Sequence, residues 1–121
     1  MKWIAGLLLG ASLLLSLAHA KEWTWEYKPL KASYSIYSGE LGERQAPSAT
    51  DRKLAVEITG QAAKEMFDSM APDFYPSCSQ AKGDRDRRKG KVYCTVHSGE
   101  GYRCFIGINL RTGESISGAT C

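Results

Sequence analysis

Four cysteines, Cys78, Cys94, Cys104 and Cys121, follow an N-terminal stretch built like an export signal, so the chain meets an oxidising compartment with an even set of thiols. Two disulfides are the expected outcome, and two covalent ties restrict so short a chain to a small stapled domain. They also remove the thiols from the candidate nucleophiles. The signal has three parts: Lys2 as a positive n-region, an apolar run from Trp3 to Leu17, and Ala18-His19-Ala20 as a small-x-small cleavage site. The apolar run falls short of the roughly 20 residues a membrane-spanning helix needs, and charged Lys21 and Glu22 follow at once. No cysteine stands at the cleavage point to carry a lipid. Residues 1–20 are read as a signal peptide and residues 21–121 as a single exported domain, periplasmic or secreted, with no stable membrane anchor.

Cleavage after Ala20 leaves 101 residues, enough for one hydrophobic core and too few for two. With Lys2 gone, 15 basic residues stand against 13 acidic ones, a balance that selects no class of partner. Nucleic acid is not an expected partner after export.

From Trp23 to Tyr37 apolar and polar residues alternate, with Trp23, Trp25 and Tyr27 first and Ala32, Tyr34 and Ile36 after Pro29. This pattern predicts two short strands or one interrupted edge strand. Gly39, Gly42 and Pro47 mark a loop. Ser48 with Asp51 three residues on reads as a helix N-cap that places a carboxylate at the positive helix end. Leu54, Ile58, Ala62, Met66 and Met70 then recur every four residues up to Pro72, the stripe of one amphipathic helix of about five to six turns. Gly60 interrupts it, and the alternative is a strand over Lys53 to Thr59 followed by a short helix from Gly60 to Met70. The unbroken spacing favours the single long helix.

The C-terminal part is β in character. Val92, Cys94 and Val96 share one strand face, and Cys104, Ile106, Ile108 and Leu110 share another. A three-residue loop at Gly99-Glu100-Gly101 would put Ser98 opposite Tyr102 and Val96 opposite Cys104, while a second at Arg111-Thr112-Gly113 would put Ile108 opposite Ile116. The expected fold is α+β: one long amphipathic helix packed on a small antiparallel sheet that ends in a β-meander. In this register Cys94 faces Ile106 and lies only diagonal to Cys104, so Cys78–Cys94 and Cys104–Cys121 are preferred among the three connectivities that four cysteines allow.

After signal removal His97 is the only histidine, which excludes a metal site built on two imidazoles, and it falls on the solvent-facing side of its strand. No serine lies in a nucleophile-elbow pattern. No catalytic group, metal or cofactor is therefore expected, and a small hydrolase is the weakest of three readings. The segment from Lys82 to Lys91 carries a net charge of +4, with Arg85, Arg87, Arg88 and Lys89 at its centre. Joined across Cys78 and Cys94 it would form a tethered basic loop suited to an anionic surface. Trp23, Trp25 and Tyr27 fit either the cover of a half-buried sheet or a platform for sugars.

Ser98-Gly99-Glu100-Gly101-Tyr102 resembles, over five residues, the serine-glycine loop motif of one family of bacterial lysozyme inhibitors. Its spacing to the tyrosine differs and no second motif follows, so the likeness is one of class. It implies a small exported protein that occupies another protein's cleft. The leading expectation is a non-enzymatic inhibitor or immunity protein with a protein partner, contacting it through Arg85, Arg87, Arg88, Lys89, Glu100 and Arg111. The runner-up binds an anionic envelope glycan or lipopolysaccharide through the basic loop.

Overall fold

The computed structural model describes residues 22–121. The signal peptide lies outside the described residues. The elements run β1 (Lys31–Glu40), β2 (Glu43–Gln45), β3 (Lys53–Thr59), α1 (Gly60–Asp68), β4 (Arg85–Lys89), β5 (Val92–His97), β6 (Gly101–Asn109) and β7 (Ser115–Ile116). All strands belong to one antiparallel sheet in the order β2-β1-β3-β6-β5-β4, and β7 also pairs with β6. The mixed α+β architecture, the antiparallel sheet and the two disulfides match the sequence expectation. The long helix does not.

The segment expected to form one helix divides at Gly60 into β3 and a nine-residue α1. Gly60 has φ +71°, a conformation that residues with a β-carbon rarely adopt, so the chain turns there from strand to helix. Leu54, Val56 and Ile58 alternate on β3 and face the same way as Ile108, Ile106 and Cys104 of β6. The helix packs across that face. Ile58, Ala63, Phe67, Met70, Cys94 and Cys104 form the buried core, with Val56, Met66, Val96, Tyr102 and Ile106 closing around it. The Phe67 ring meets the Tyr102 ring edge-on, with centroids 5.5 Å apart.

Ser48 does make the expected hydrogen bond, its Oγ accepting from the Asp51 amide at 3.0 Å, but a strand follows it. Asp51 is turned elsewhere: its carboxylate accepts from the Gly39 amide at 2.8 Å and pairs with Lys53. The motif is a turn that anchors the β1–β2 hairpin to β3.

The preferred disulfide pairing is overturned. The bridges are Cys94–Cys104 and Cys78–Cys121. The β5–β6 hairpin closes with His97 opposite Gly101, so its loop is Ser98-Gly99-Glu100 and Val96 faces Tyr102. That shift brings Cys94 directly opposite Cys104, with Cα atoms 4.0 Å apart. The β6–β7 register also differs, with Gly107 opposite Ile116. A β-carbon on Gly107 would lie 2.6 Å from the Ser117 carbonyl oxygen, and one on Gly118 would lie 2.5 Å from that of Ile106. Two glycines thus let the C-terminal segment cross β6 in backbone contact. Cys121 is carried to Cys78 on the far side.

Candidate functional site

The basic run is a strand, not a tethered loop. Arg85 to Lys89 form β4, paired to β5 from Arg85 opposite Val96 to Lys89 opposite Val92. Strand alternation therefore sends its arginines to opposite faces. Arg85 and Arg87 point to the helix side, where both hold Asp73: Arg85 Nε and Arg87 Nε each donate to its carboxylate at 2.8 Å. Arg87 also donates to the Phe67 carbonyl at 2.7 Å and lies 4.2 Å from the centroid of the Phe67 ring. Its side chain is only 13% exposed, so Arg87 is part of the structure and not a free contact group.

The paired guanidiniums, Arg85 first and Arg87 second, hold the Asp73 carboxyl at about 2, below its ordinary 3.8. A folded-state value below the unfolded one adds stability above the unfolded value, and that stability is lost as pH falls from about 3.8 through about 2. Thermal melts taken from pH 5 down to pH 2 should show this loss in the wild type and a shallower one in Asp73→Asn. Identical pH profiles for the two proteins would contradict the assignment.

On the opposite face Asp86 is fully buried, its carboxylate accepting from the Cys78 amide at 2.6 Å and from Thr95 Oγ1 at 2.8 Å. The Phe74 amide donates to the Asp86 carbonyl at 2.7 Å, an isolated bridge that covers the middle of β4's outer edge. Arg88 lies on this face between two rings, 4.9 Å from the Phe74 centroid and 5.0 Å from that of Tyr93. Among the described residues it makes no ion pair. Burial pushes the Tyr93 phenol up, so Tyr93 stays a neutral hydrogen-bonding group.

Beside Arg88 opens a cleft of about 710 Å³, walled by the β1–β2 hairpin, the β4–β5 turn and the C-terminal segment. Tyr37, Lys53, Arg88, Lys91 and Tyr93 line it, with Glu40 the only acidic side chain among the described residues on its walls. Sequence spacing gave no sign of Tyr37 or Lys53. The β1–β3 register brings them together as direct cross-strand partners.

The remaining expected contact residues are dispersed. Lys89 is exposed at the end of β4, and Arg111 is exposed in the β6–β7 turn at the same end of the sheet. Glu100 occupies the β5–β6 loop at the other end, 3.4 Å from His97 Nδ1. His97 is half-buried and not a solvent-facing side chain: its Nε2 is enclosed, 3.8 Å from Asp84. Ser79 donates to that same Asp84 at 2.6 Å. The carboxylate thus lies between hydroxyl and imidazole, an order in which His97 cannot take the serine proton. Among the described residues no group of three or more His, Cys, Asp or Glu side chains converges as a metal site would require.

No protein-family model matches the chain, and no curated protein or solved structure matches it. The two disulfides fit an oxidising, extracytoplasmic setting. Among the described residues no helix is long and apolar enough to cross a membrane.

Proposed function

We propose that this is an exported, non-enzymatic binding protein of the inhibitor or immunity type, acting in a periplasm or outside the cell. It takes an acidic group of a partner protein into the cleft beside Arg88. One observation carries this reading: Arg88 is held between two aromatic rings with no ion-pair partner among the described residues, while Arg85 and Arg87 are already engaged by Asp73. A guanidinium fixed by stacking loses little freedom when it binds, and its fork matches a carboxylate in two parallel hydrogen bonds. Lys91 adds positive charge to the cleft, while Lys53, also on its wall, is already paired with Asp51. Tyr37 and Tyr93 supply ring faces, which also favours a second reading in which an anionic glycan stacks in the same cleft.

The test compares the wild type with Arg88→Glu/Lys91→Glu in capture from a periplasmic extract and on isolated anionic wall polymer. Both substitutions fall on side chains without ion pairs among the described residues, so the melting temperature should change little. Partner capture should drop at least tenfold, an effect of about 1.4 kcal/mol or more. Loss of a captured protein supports the first reading, and loss of polymer binding alone supports the second. Unchanged capture of both would remove the cleft from consideration.

A further inference from the structure

Along Lys31–Tyr37 the edge of β1 away from β3 carries no strand among the described residues. Ala32, Tyr34 and Ile36 share one face of this strand and are exposed, Tyr34 to 74%. Directly upstream, residues 22–30 lie outside regular secondary structure. Trp23, Trp25 and Tyr27 in that arm are 84%, 79% and 100% exposed, a large apolar area for one short segment.

We propose that the arm of one copy adds as an antiparallel strand to the free β1 edge of a second copy, reciprocally, about a two-fold axis between Pro29 and Leu30. Three apolar side chains at period two then meet three others at period two. With Pro29 opposite Leu30, the arm's Trp23, Trp25 and Tyr27 fall beside Ile36, Tyr34 and Ala32 of the second copy. A slip of one residue would set the aromatics against Ser33 and Ser35, so the apolar pattern selects the register. Lys28 meets Lys31 in this arrangement, with Glu26 two pairs away. Salt should therefore strengthen the association, the reverse of its effect on a cleft that binds anions.

The same register could in principle close within one chain, as a hairpin whose two-residue loop is Pro29-Leu30. Tight hairpins use type I′ or II′ turns, which need positive φ at the first loop residue, and proline is fixed near about −65°. Pro29 thus blocks closure in cis and leaves the strand to be supplied in trans. The area is adequate. Each aromatic buries roughly 150–250 Å², so six of them bring on the order of 1,000 Å² before the strips they cover are counted. Stable specific interfaces bury roughly 1,200–2,000 Å² in total.

Sedimentation and tryptophan emission of the exported protein, measured over a wide range of concentration, test the proposal. The expected result is a dimer whose emission shifts to the blue as it forms, because Trp23 and Trp25 are the only tryptophans after Trp3. Trp23→Ser/Trp25→Ser should be monomeric at every concentration, with an unchanged far-ultraviolet spectrum. Pro29→Asn/Leu30→Gly, which permits a type I′ turn, should be monomeric with blue-shifted emission, since the arm then closes on its own chain. A wild type that stays monomeric throughout would overturn the proposal. So would a serine double variant that still dimerises, or an Asn-Gly variant that is dimeric or emits as exposed tryptophan.

Discussion

Phe67→Ala lowers the free energy of unfolding by about 3–5 kcal/mol, the range for removing a fully buried aromatic side chain. Phe67 is 1% exposed and touches the sheet, the edge of Tyr102 and the guanidinium of Arg87 at once. Its loss leaves a cavity under a helix of nine residues, which has few other anchors. It also removes the ring on which Arg87 rests, so the grip on Asp73 should loosen too. Denaturant unfolding measures the first effect, and the acid limb of the stability curve measures the second. A loss below about 1 kcal/mol would mean that the helix is not held through this residue.

Cys78→Ser/Cys121→Ser should cost nearly as much. The bridge joins residues 43 apart, and closing a loop of that length is worth about 4 kcal/mol in loop entropy. The functional consequence is separate. Ser117, Ala119, Thr120 and Cys121 form one wall of the cleft, so without the bridge that wall is held by β7, the glycine crossing and the contact of the Arg88 guanidinium with residue 121. Binding in the cleft should therefore weaken in the double variant even at temperatures where the sheet remains folded. Thermal melts together with binding at low temperature separate the two effects. Full affinity in the bridge-less protein would show that the C-terminal wall contributes nothing.

The class of the fold and the face of each C-terminal strand were legible in the sequence because alternation fixes parity. The helix boundary was not, and Leu54 and Ile58 show why. A spacing of four residues fits a helix, but it is also twice the strand period, so Leu54, Val56 and Ile58 satisfy a strand equally well. Only Gly60 distinguishes the two, through the positive φ that it alone tolerates there. The Ser48–Asp51 pairing is visible in the sequence but its context is not, since the same local bond serves a helix cap and a turn.

The disulfides failed on register. Gly99 and Gly101 both have positive φ, so the turn can take in Gly101 or close on it, and that choice moves Cys104 from diagonal to Cys94 to directly opposite it. The site was legible only in part. The basic run was visible, but Arg88 could not be separated from Arg85 and Arg87 until strand alternation placed those two on the face that carries Asp73. Tyr37 and Lys53 join the cleft through pairing across the sheet, which local sequence does not encode.

The two borders of the sheet are not equivalent. At β4 the Phe74 amide is already bonded to the Asp86 carbonyl, and the segment behind it is tied down through Cys78. At β1 the edge of Lys31–Tyr37 away from β3 faces no strand among the described residues. A sheet open on both sides can lengthen without end, and that is the route to fibres. Because the reciprocal pairing proposed above uses both β1 borders at once, and β4 is bridged at Asp86 by Phe74, strand addition would end at two copies.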